Sequence, residues 1–162
     1  LLIIMVITVN QQRSIFMFQR NAYIREIESV AADFAKQQLE AISNSVGFDE
    51  ARLGTVNFTT TTSDLTSVGS LGPDGTETAG SFDDLDDFDG HTETIFHIVS
   101  QDTFRFQATY SVQYVDPSNP SNTVTSPTLA KEIVATVISL NPIGAMTANV
   151  TFSKTMIAAD YF

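Results

Sequence analysis

LLIIMVITVNQQRSIFMFQRNAYIREIESVAADFAKQQLEAISNSV, residues 1–46, contains neither glycine nor proline. With no breaker in it, the stretch predicts one continuous α-helix, about 68 Å long at ~1.5 Å per residue. Its two halves differ. Leu1–Val9 is apolar apart from Thr8, Asn10-Gln11-Gln12-Arg13-Ser14 is polar, and Ile15-Phe16-Met17-Phe18 is apolar again. From Tyr23 onward the apolar residues step by three and four: Tyr23, Ile24, Ile27, Val30, Ala31, Phe34, Ala35, Leu39, Ile42 and Val46. That spacing makes a single apolar stripe, with Arg25, Glu26, Asp33, Lys36 and Glu40 mostly off it. Gly47 stands where a helix C-cap is expected.

Beyond Gly54 the period changes from three or four to two. Residues 104–114, FRFQATYSVQY, alternate without error: Phe104, Phe106, Ala108, Tyr110, Val112 and Tyr114 form one face. Arg105, Gln107, Thr109, Ser111 and Gln113 form the other, so the stretch predicts a half-buried antiparallel strand. Asp116–Asn122 reads as a turn, Lys131–Leu140 as a second strand, and Asn141–Gly144 as another turn. Met146, Ala148, Val150 and Phe152 then alternate with Thr147, Asn149, Thr151 and Ser153, completing a three-stranded meander. Thr55–Thr61 and Thr94–Ser100 are further candidate strands, and Ser67–Gly90, rich in Gly, Asp and Ser, reads as a long loop.

A sheet with one apolar face needs a cover, and the stripe from Tyr23 to Val46 supplies it. The expected fold class is therefore α+β: a long N-terminal helical region, residues 1–53, and an antiparallel β-sheet head, residues 54–162. Residues 23–46 pack on the head through Tyr23, Ile27, Val30, Phe34 and Ile42. Residues 1–22 protrude, with nothing of their own to pack against. A hydrophobic rod on a soluble head is a device for polymerisation, since one repeated contact that does not close on itself generates a helical filament.

Charge excludes one class of partner. The chain of 162 residues carries a formal net charge of −11. Beyond Leu53 only Arg105, Lys131 and Lys154 oppose more than a dozen carboxylates. Such a surface repels phosphate backbones, so nucleic acid is not an expected partner. With no cysteine, neither disulfides nor thiolate metal sites can form.

A stable membrane span fits the first segment poorly. Crossing a bilayer takes about 20 apolar residues, and here Asn10–Ser14 would sit near its middle. Arg13 there would cost about 3 kcal/mol. Neighbouring helices satisfy such polar side chains better than lipid does.

The layout resembles type IV pilins and the pseudopilins of type II secretion systems, whose N-terminal helices have an apolar first half and an amphipathic second half laid on a sheet. Phe82-Asp-Asp-Leu-Asp-Asp-Phe-Asp-Gly90 and Gly47-Phe48-Asp49-Glu50 are also similar to segments of prepilin-type proteins of the minor-pilin kind. Where those families place an opening Phe and a Glu at the fifth position, this chain has Leu1 and Met5. The resemblance implies a structural subunit of an extracellular filament at the cell surface. Its partners would be identical subunits in a helical homopolymer, after a transient stage inserted in the inner membrane. The filament-core interface would comprise Leu1, Leu2, Ile3, Ile4, Val6, Ile7, Val9, Ile15, Phe16, Met17 and Phe18. Two alternatives share the layout: a minor pilin or pseudopilin of a secretion apparatus, and a membrane-anchored, adhesin-like binding module.

One cluster has the composition of a site. Asp83, Asp84, Asp86, Asp87 and Asp89 repel one another, and a hard cation such as Ca²⁺ would relieve that repulsion. An EF-hand loop is not present, because its first ligand would fall on Leu85. The bland alternative is a solvated acidic loop pinned to the sheet by Phe82, Leu85 and Phe88. His91 and His97 stand in no catalytic spacing, no phosphate-cradling glycine loop occurs, and neither an enzyme nor a cofactor is expected beyond that candidate calcium.

Overall fold

The structure, a computed structural model, describes residues 2–49, 62–99, 102–140 and 149–157. Helix α1 runs from Leu2 to Ser45 without a break. Its end is closed by side chains. Ser43 Oγ and Asn44 Nδ2 donate to the Glu40 carbonyl at 3.0 and 2.7 Å, and Ser45 Oγ donates to that of Ile42 at 3.3 Å. Carbonyls at a helix end need such partners. Gly47 does not serve as the expected left-handed cap, because positive φ occurs only at Gly72, Gly75 and Gly90 among the described glycines. Instead Gly47 forms a parallel bridge to Asp84: its N–H donates to Asp83 O at 2.7 Å and its carbonyl accepts from Leu85 N at 3.1 Å.

Among the described residues five strands make one antiparallel sheet. They are β1 (Thr92–Val99), β2 (Asp102–Asp116), β3 (Asn119–Thr123), β4 (Ala130–Ser139) and β5 (Asn149–Ile157). The order is β1-β2-β4-β5, and β3 pairs with the far end of β2 across a register shift between Val115 and Asp116. The turn expected at 116–122 thus carries a short strand of its own. Thr55–Thr61, the turn at 141–144, Met146 and Ala148 lie outside the described residues, as do the expected boundary at residue 53 and the side chains of residues 1–7.

The core lies between α1 and the inner face of the sheet. Ile27, Ala31, Ala35, Leu39 and Ile42 of the helix are buried there, with Tyr23, Val30 and Phe34 half-buried beside them. Phe104, Phe106, Ala108, Tyr110, Val112 and Tyr114 of β2 face them. Large and small residues alternate across the register, Tyr110 opposite Ala135 and Ala108 opposite Val137, so that bulk on one strand meets space on the next. Alanines 31 and 35 on the helix let its backbone approach closely. Tyr23 meets Phe104 with ring centroids 5.6 Å apart, the first contact along the chain at which the helix joins the head. Further along, Lys154 of β5 binds Glu40 and Ser43 at 2.9 and 2.7 Å, tying the far half of α1 to the sheet edge.

Candidate functional site

From Thr8 to Gln19 the rod is bare. Residues 8–19 are all exposed, including Val9, Ile15, Phe16, Met17 and, at 75% exposure, Phe18. Contiguous exposed apolar side chains of this size mark an interaction surface on a folded protein. Among the described residues no helix is long and apolar enough to cross a membrane. A second apolar pair, Phe96 and Ile98 on the outer face of β1, is also exposed. It lies at the end of the β1–β2 hairpin where Phe104 receives Tyr23, so both bare surfaces occupy the same end of the head.

The acidic segment is not the solvated loop of the bland reading. Asp84, Asp86 and Asp87 are buried, while Asp83 is exposed and Asp89 half-buried. Local backbone amides do much of the solvating. Asp84 Oδ1 accepts from the N–H groups of Asp86 and Asp87 at 2.7 and 3.3 Å. Asp87 Oδ2 accepts from those of Asp83 and Asp84 at 3.0 and 3.3 Å, and Asp89 Oδ1 from that of Val112 at 2.8 Å. Leu85 is fully buried, and Phe82, Phe88, His91 and Tyr110 form a ring cluster that fixes the segment to β2.

At the centre stands Lys131, whose side chain is 1% exposed. Its ammonium donates to Asp86 Oδ1 at 2.5 Å, to the Phe48 carbonyl at 2.8 Å and to Asp49 Oδ2 at 2.9 Å. The rings of Phe48 and Tyr114 lie 4.7 and 5.1 Å from its nitrogen. Asp49 Oδ2 also accepts from Thr66 N at 3.0 Å, and the Tyr114 hydroxyl sits 3.3 Å away while donating to Thr66 O at 2.8 Å. Asp86 Oδ2, by contrast, is buried without a well-formed hydrogen bond, although the Thr66 side chain stands near enough to favour the charged carboxyl somewhat. Helix end, acidic segment, β2 and β4 thus converge on one nitrogen.

Three buried carboxylates around a single ammonium leave excess negative charge. Burial, reinforced by the Asp86 charge, pushes Asp84 up to about 6 from 3.8. Burial also raises Asp86, against the attraction of Lys131. Between 3.8 and about 6 the unfolded chain ionises Asp84 while the folded one keeps its proton, so stability falls as pH rises through that window. The melting temperature of the head is therefore expected to stand a few degrees higher at pH 5 than at pH 7.5. Asp84→Asn, which keeps the acceptor oxygen, should flatten that difference, as calorimetry at the two pH values would read.

The five aspartates do not gather round one point. Among the described residues, ligand atoms come within 4.8 Å of one another in two trios, Asp49–Asp84–Asp86 and Glu77–Asp83–Asp87; Asp89 joins neither. The first trio already encloses the Lys131 ammonium. A hard cation would have to bridge the second, where a hydrogen bond with Asp87 raises Glu77. Asp49 and Lys131 were not singled out by sequence as site residues. The signal was present for Lys131: it shares the parity of Ile133, Ala135 and Val137, the inward face of β4.

No family model, curated protein or solved structure matches the chain.

Proposed function

We propose that this chain is a non-enzymatic structural subunit of an extracellular bacterial filament of the type IV pilus kind. Identical subunits would assemble through their N-terminal rods, after a stage inserted in the inner membrane. The observation that carries this reading is the bare stretch from Thr8 to Gln19, apolar at Val9 and at Ile15–Phe18, which no element among the described residues of its own head covers. Staggered copies of the rod cover one another and also offer partners to Asn10, Gln11, Gln12 and Arg13, which lipid does not. At ~25 cal/mol per Å² of apolar surface, a few hundred Å² is worth several kcal/mol per subunit before ordering costs. A contact between rods displaced along one axis does not close, and so propagates into a helix of subunits. Phe96 and Ile98, exposed on the outer face of β1, would offer a neighbouring subunit a second apolar contact.

Deleting residues 1–18 tests the reading. The shortened chain is expected to sediment as a soluble monomer, while the full chain forms filaments visible by electron microscopy. Filaments formed equally well by the shortened chain would refute the assignment of the core.

A further inference from the structure

We propose that Lys131 and Asp86 become joined by an intramolecular isopeptide bond, formed within the folded head with loss of one water. The Lys131 nitrogen lies 2.5 Å from Asp86 Oδ1, and both side chains are shut away from solvent, 1% and 4% exposed. Reacting groups held in such contact gain an effective concentration far beyond that of separate molecules. The rings of Phe48 and Tyr114 flank the nitrogen and close the site around it.

The two carboxylates on Lys131 differ in a way that assigns their roles. Asp49 Oδ2 is held by Lys131 and the Thr66 amide, with the Tyr114 hydroxyl nearby. Asp86 offers Oδ1 to Lys131 at the shorter distance, and its Oδ2 is buried with no well-formed hydrogen bond, only the Thr66 side chain standing near the carboxyl, an arrangement costly for an anion and less so for an amide carbonyl. Asp86 is thus the electrophile and Asp49 the proton carrier.

The steps balance without any further reactant. Lys131 passes a proton to Asp86 Oδ1, giving an amine and a neutral carboxylic acid. The nitrogen lone pair adds to Asp86 Cγ, forming the C–N bond. Asp49 takes one proton from the nitrogen and delivers it to Oδ1, the C–Oδ1 bond breaks, and that oxygen leaves as water. Oδ2 remains as the amide carbonyl, and Asp49 ends unchanged. In a chain without cysteine the product ties the acidic segment to β4 as a disulfide otherwise would.

Mass spectrometry of the denatured full chain tests this whether or not any variant folds. The mass is expected to fall short of that of the unlinked linear chain by one water. Digestion should yield a branched peptide joining the segment with Asp86 to the segment with Lys131. Lys131→Arg and Asp49→Asn should both restore the missing water. A wild-type chain of full mass, a branch at Asp49 in place of Asp86, or an Asp49→Asn chain still lighter by one water would overturn the proposal.

Discussion

Replacing Lys131 by methionine is expected to destabilise the head by about 3–5 kcal/mol, because removing one partner of a buried ion pair strands the other. Here the stranded groups are Asp49 and Asp86, with Asp84 beside them, all buried. The Phe48 carbonyl loses its donor as well. In the linked chain Lys131 is an amide and no longer an ion, so the loss there is instead that of the closed segment between residues 86 and 131, about 4 kcal/mol of loop entropy. Denaturant unfolding of the head freed of residues 1–18 would read the difference. Converting the whole cluster, Lys131→Met with Asp49→Asn and Asp86→Leu, should recover much of the ion-pair loss, since well-packed apolar replacements of buried pairs are often neutral. A single Lys131→Met variant as stable as the wild type would mean that solvent reaches the cluster and that burial there is not what holds the segment.

Phe106→Ala is expected to cost about 3–5 kcal/mol, the usual range for a large aromatic side chain removed from a core. Phe106 is 2% exposed and lines, together with Tyr23, Ile27 and Val30, the crevice between helix and sheet at the base of the rod. Its loss would loosen the helix at the base of the rod more than at the far end, where Lys154 still grips Glu40 and Ser43. Two readouts follow. Amide exchange should rise over residues 23–30 ahead of residues 39–45, and any filaments should be less regular, because the rod would no longer leave the head at a fixed angle. Uniform loss of protection along the helix would contradict that polarity.

The fold was legible where the pattern is local. The unbroken run before Gly47 predicts α1, and the alternation of residues 104–114 predicts which side chains of β2 turn inward, as burial of the six from Phe104 to Tyr114 shows. What escaped is non-local or runs against composition. Gly47 reads as a cap from its neighbours, yet its bonds go to Asp83 and Leu85, more than thirty residues away. Five aspartates in seven positions read as a solvated loop. The burial of Asp84, Asp86 and Asp87 depends on amides supplied by their own tight turn at Asp86–Phe88 and on one lysine from β4, and no rule of local spacing brings those together. Lys131 could have been found by parity alone, since a lysine in phase with the inward residues of a strand needs a buried counter-charge.

Solvent access at Phe18 is the most direct measure of whether copies of the rod shelter one another. The chain has no cysteine of its own, so Phe18→Cys places a single thiol at the most exposed of the large apolar side chains described. In detergent-free filaments this thiol should react with a water-soluble maleimide far more slowly than one introduced by Thr109→Cys on the outer face of the sheet. Equal rates at the two positions in assembled material would contradict a filament core built from these helices.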